Sequence, residues 1–135
     1  MAVVAIGKVS VAPSFAADVD WNRWAIGCQG CHRPDASGST GGAPDMKDFV
    51  SRFVTVPGGR EYLVRVPGVA TAAFSDKDLA ALLTFVLRRF DPQHLPADFE
   101  PYTAEEIAAG RKHPLRTEAA EVRQRLLSQM SATSH

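Results

Sequence analysis

The chain holds two cysteines, Cys28 and Cys31, and a histidine follows the second directly in the run Cys28-Gln29-Gly30-Cys31-His32. Two thiols at this spacing lie about one helical turn apart, so each can add to one vinyl group of a porphyrin while the adjacent imidazole reaches the iron from one face. The pattern reads as a covalent attachment site for one haem c, with Cys28 and Cys31 holding the ring and His32 as an axial ligand of the iron. A structural zinc site needs four ligands, usually from a second close pair, and His94, His113 and His135 stand singly toward the C-terminus. A thioredoxin-type CxxC needs a βαβ setting, and no alternating strand pattern flanks this one.

Helices must present these residues. Asp20 can cap a helix that begins at Trp21 and runs into the CxxCH turn, placing Trp24 one turn before Cys28. Residues 33–44 are loop by composition. Met46, Phe49, Val50 and Phe53, at i, i+3, i+4 and i+7, predict a short amphipathic helix. Pro57-Gly58-Gly59 and Pro67-Gly68 mark turns. Ser75 is a plausible cap with Asp78 three residues on, and Leu79, Leu82, Leu83, Val86 and Phe90 form a helical stripe that Pro92 ends. Thr103-Ala104-Glu105-Glu106 is a capping box opening a helix to about Arg111, and a last helix spans about Thr117 to Gln129 with Val122, Leu126 and Leu127 on one side. The expected class is all-α.

At 135 residues, 45% of them hydrophobic, the chain is one domain's worth with enough apolar content for a core. Lys plus Arg and Asp plus Glu balance at 15 each, so no overall field points to nucleic acid or an acidic membrane. Met1 to Ala16 reads as an export signal, apolar and without acidic residues, with Ser14 and Ala16 at the −3 and −1 positions of a cleavage site. Its one basic residue, Lys8, lies inside the apolar run, as in a longer signal with an internal start. No segment reaches the roughly 20 apolar residues of a spanning helix, so no membrane span is expected in the mature chain. Export and covalent haem together point to the periplasm.

From Asp20 to Phe90 the chain resembles a class I c-type cytochrome: an N-terminal helix, CxxCH, a loop ending in Pro, and a last core helix introduced by Ser75-Asp76. The resemblance implies a cytochrome c-like helical domain over residues 17–90, with 1–16 as leader and 91–135 as a helical C-terminal extension. It pairs Trp24 with Phe85, and it makes Pro44, twelve residues after His32, the carbonyl that accepts the His ring N–H. The family usually takes a Met sulfur on the other face of the iron from the loop before the last helix, and residues 65–74 contain none. Met46, His94 or no protein ligand remain open for that position. Pro57 to Tyr62 puts a cation and a phenol near the pocket. Arg60 is the candidate for a haem propionate and Arg65 the second, since guanidinium binds carboxylate bidentately. Lys77, Arg88 and Arg89 can form a docking patch. The implied role is a periplasmic one-electron carrier rather than a catalyst, taking electrons from a dehydrogenase toward a respiratory chain, with redox proteins as partners. Alternatives are a haem enzyme or gas- or peroxide-binding protein with an open sixth site, and an electron-transfer subunit of a larger dehydrogenase.

Overall fold

The computed structural model describes residues 14–133. Its organising element is α5 (Asp76–Phe90), and the local chemistry shows why it forms. The Ser75 hydroxyl accepts the Asp78 N–H at 3.1 Å, Asp76 and Asp78 stand in the first turn, and Arg88 and Arg89 stand in the last. This charge order suits the helix dipole. Leu79, Leu82, Leu83, Val86, Leu87 and Phe90 are all buried, so the stripe is core. Packed on α5 are α1 (Ser14–Gly27) and α6 (Ala104–Arg111). Among the described residues there is no strand, and the fold is all-helical as expected. No helix of the described residues is long and apolar enough to cross a membrane.

Helix α1 begins earlier than the predicted cap. The run Ser14-Phe15-Ala16-Ala17-Asp18-Val19 contains no breaker, so the helix extends through it, and Asp20 becomes a mid-helix carboxylate paired with Arg23 at 2.6 Å. Arg23 also reaches Asp78 at the start of α5, tying the two helices. Most of the expected leader lies outside the described residues; only Ser14 to Ala16 fall within them. The aromatic pairing differs too. Trp24, 1% exposed, meets Phe90 at 4.6 Å between ring centroids, while Phe85 meets Trp21 at 6.1 Å. Steps of four and three residues from Val86 and Leu87 lead to Phe90, so Phe90 lies on the buried stripe and Phe85 beside it.

The predicted helix over Met46 to Phe53 is instead a turn followed by a 3₁₀ segment, Val50–Thr55. Two long-range bonds account for the change. The Asp48 N–H donates to the Phe90 carbonyl at 2.9 Å, and the Ser51 N–H donates to the fully buried Asp91 carboxylate at 2.8 Å. Val50 and Phe53 still turn inward. Past Gly58, whose φ of 81° only glycine adopts freely, comes a helix the turn residues concealed, α3 (Gly59–Arg65). A Cβ on Gly59 would lie 1.8 Å from the Phe53 carbonyl oxygen, so the close approach of these segments requires glycine. A single helical turn, α4 (Pro67–Ala70), follows.

The C-terminal helices fold back onto this frame. The capping box forms at α6: Thr103 Oγ1 accepts the Glu106 N–H at 3.2 Å, and the Glu106 carboxylate accepts the Thr103 N–H at 2.9 Å. Helix α7 (Ala119–Ala132) lies against the 3₁₀ segment and α3. Ile107, Leu115 and Leu126, each at most 2% exposed, join Trp24 and Leu79 in one hydrophobic cluster. The apolar sides of the extension are thereby covered by the chain itself.

A cavity at the CxxCH turn

The motif sits where α1 gives way to a one-turn helix, α2 (Gln29–His32). The Cys28 N–H donates to the Trp24 carbonyl at 2.9 Å and the His32 N–H to the Cys28 carbonyl at 3.0 Å, so the turn continues the helical path. Cys28, Cys31 and His32 form one wall of a cavity of about 400 Å³. That volume is within the roughly 300–1,000 Å³ of small-molecule and cofactor sites. Pro44, Met46, Phe49 and Phe53 line it too, with Tyr62, Leu63 and residues 66–69. Leu83, Val86 and Leu87 of α5 also line it, and α7 contributes Ala119, Ala120 and Arg123.

His32 is poised as a ligand. Its Nδ1 lies 3.2 Å from the Pro44 carbonyl oxygen, which can only accept, so Nδ1 holds the proton and Nε2 keeps a free lone pair. Burial holds the ring's pKa below the ordinary histidine value, against the raising influence of the Pro44 bond, and favours neutral imidazole. The loop is shaped to bring that carbonyl in. Gly38 adopts φ 67°, Ser39 donates its N–H to the Ala43 carbonyl at 2.9 Å, and Met46 donates its N–H to Ala36 at 2.9 Å. Burial, and secondarily the neighbouring Cys31, push the Cys28 thiol up to about 11, so its sulfur is neutral at pH 7. A thioether would present neutral sulfur in the same apolar slot. Among the described residues, no group of three or more His, Cys, Asp or Glu is placed to hold a metal ion by itself. Two sulfurs and one imidazole around an apolar cavity therefore fit a covalently held porphyrin.

The expected site residues divide cleanly. Cys28, Cys31, His32 and Pro44 come together here, and Tyr62 and Met46 line the same cavity. Arg60 is not brought to it. Its Nε reaches Glu106 at 2.6 Å, another nitrogen reaches the Glu100 carbonyl at 2.8 Å, and the guanidinium stacks over Tyr102 at 4.2 Å. Arg65 is held by the His113 carbonyl at 2.6 Å. His94 also lies elsewhere, its Nδ1 against Asp91 at 2.6 Å and its Nε2 against Arg52 at 2.8 Å. The guanidinium that does line the cavity is Arg123, stacked over Phe53 at 5.9 Å. A signal for it existed, since Ala119, Arg123 and Leu126 follow helical spacing along one face of α7.

No protein-family model matches the chain. It is 26% identical over 125 aligned positions to a cytochrome c-552 of Thermus thermophilus, covering 79% of this chain and 81% of the relative. A second cytochrome c-552 from Thermus thermophilus is 29% identical over 98 positions, covering 59% of this chain and 75% of the relative. With the all-helical fold, these similarities support a c-type cytochrome, a haem-based electron carrier.

Proposed function

We propose that the protein is a periplasmic monohaem cytochrome c of the class I type, carrying one electron at a time from a dehydrogenase to a respiratory acceptor and transforming no substrate. The observation that carries this reading is the His32 Nδ1 to Pro44 carbonyl contact of 3.2 Å beside both cysteines on one cavity wall. When bound, haem c supplies an iron that cycles between ferric and ferrous. The chain supplies the rest. Cys28 and Cys31 anchor the ring, His32 offers Nε2, and Pro44 fixes the tautomer and orientation of that imidazole. Val86, Leu87 and Phe53 exclude water and so influence the potential. Arg123 takes the propionate role that Arg60 was expected to fill. A partner would meet the protein at the face of Ile26, 84% exposed and two residues before Cys28, and the exposed Cys31. Such encounters are small and transient.

The test is acidified organic extraction of protein produced with haem-attachment machinery. Wild-type protein should retain its haem, Cys28→Ala and Cys31→Ala should each weaken retention, and the double substitution should abolish it. Haem that extracts freely from the wild type would refute the reading.

A further inference from the structure

Helix α5 has a second face, turned away from the cavity at the CxxCH turn. Lys77, Ala81, Phe85 and Arg88 follow at steps of four, four and three residues and so share one side of the helix. With Asp20 of α1 and Ala104 of α6 they line an open groove of about 730 Å³, larger than the 400 Å³ of the CxxCH cavity. Tyr102 is the one lining residue that groove and cavity share, and neither the cysteines nor His32 reach the groove. The hydroxyls that line it are engaged within the fold. Thr84 donates to the Ala80 carbonyl at 2.9 Å and accepts the Tyr102 N–H at 3.0 Å, and the Tyr102 hydroxyl donates to the Arg60 carbonyl at 2.8 Å. A group filling the groove therefore gains mainly from apolar contact.

The rim is cationic. Lys77, Arg88 and Arg89 are exposed, and among the described residues none of them makes a hydrogen bond or an ion pair, while Arg89 stacks over the partly exposed Trp21 at 5.7 Å. The acidic side chain that lines the groove, Asp20, is already paired with Arg23 at 2.6 Å. Asp76 and Asp78 are likewise taken, by Arg111 and Arg23. Lys77 also stands in the first turn of α5, where the helix dipole favours an anion, so its charge does not serve the helix. A rise of about 1.5 Å per residue sets Lys77 and Arg88 roughly 16–17 Å apart along the axis. One small anion does not bridge that distance. A flat lipid surface does not enter a concave groove, and two copies paired about a two-fold axis would set these cations against one another.

We propose that this groove anchors a segment of a partner protein that is apolar in its middle and acidic at both ends. Tryptophan and arginine, which dominate interface energetics, flank the site in Trp21 and Arg89. The anchor adds a second contact to the carrier reading and does not depend on the haem, because no residue of the CxxCH turn takes part. A partner held there meets the haem face as an intramolecular encounter, which raises its effective concentration.

The probe is a synthetic peptide with glutamates at each end and alanine and leucine between, long enough to reach both cationic ends, titrated into holoprotein at low salt by calorimetry. It should bind one to one without changing the haem absorption spectrum, and more weakly as ionic strength rises. The double variant Lys77→Glu with Arg88→Glu should bind it about tenfold more weakly. Should that variant fail to fold, Lys77→Gln and Arg88→Gln should each give a smaller loss. No binding of the acidic peptide, or equal binding to the folded variants, would overturn the proposal. So would equal binding of the same peptide with lysines in place of the glutamates, tighter binding to phosphatidylglycerol vesicles than to the peptide, or a wild-type dimer in sedimentation that the charge reversals dissociate. Acid extraction of haem from the same preparation tests the carrier reading separately.

Discussion

A histidine with one ring nitrogen committed to a carbonyl has one lone pair left to give, and here the carbonyl is main chain, so no side-chain replacement at Pro44 deletes it. The way to disturb it is through Gly38, which holds φ 67° and where a Cβ would lie 2.4 Å from the Ala43 carbonyl oxygen. Gly38→Ala should displace the loop, weaken the bond to His32 and make the imidazole a poorer donor to iron. The midpoint potential should rise, as read by spectroelectrochemical titration, with a stability cost of about 1–3 kcal/mol. That Cys28, Cys31, His32 and Pro44 come together was legible in the sequence because their spacing is local: the first three fall within one turn, and Pro44 within one loop. The cationic residue was not. Arg60 is held by Glu106, far along the chain, and the arginine that lines the cavity, Arg123, comes from α7.

At the scale of elements, Phe90 rather than Phe85 carries the contact of α5 with the buried Trp24 of α1. Phe90→Ala should cost about 3–5 kcal/mol in guanidinium unfolding of the holoprotein, and the half-buried Phe85 clearly less. The α6 cap offers a second test. Thr103→Ala should cost about 1 kcal/mol by removing the acceptor of the Glu106 N–H. Glu106 also answers to pH. Arg60, ahead of the Thr103 bonds, holds its carboxyl below the usual glutamate range. Its stabilisation is therefore present above the unfolded value near ~4.3 and lost as pH falls through the lower folded one. The Glu106 side chain is 38% exposed, so the contribution is about 0–1 kcal/mol, read as the difference between wild type and Glu106→Gln in acid unfolding. Elements with their own punctuation, such as α5 between Ser75 and Pro92 or α6 behind Thr103, were readable in advance. The 3₁₀ segment after Phe49 was not, because its path answers to Phe90 and Asp91 rather than to its own hydrophobic spacing.

For the whole molecule, the extension beyond residue 90 belongs to the same core. Deleting Thr117 to His135 removes buried Leu126 and the cavity residues Ala119, Ala120 and Arg123. The shortened protein should keep covalent haem and melt at a lower temperature by circular dichroism. The sequence posed the question of what covers these helices but did not answer it, since an apolar helix face carries no address. That α7 closes part of the cavity also bears on assembly. Thiols, imidazole and the Pro44 loop precede it in the chain, and Leu126 is its sole fully buried side chain. With so little side-chain burial, it can open while the rest stays folded. Haem can therefore be delivered and ligated to an unfinished fold, with docking of α7 as the closing step. In pulse-labelling hydrogen exchange during refolding of the holoprotein, α7 amides should gain protection after those of α5.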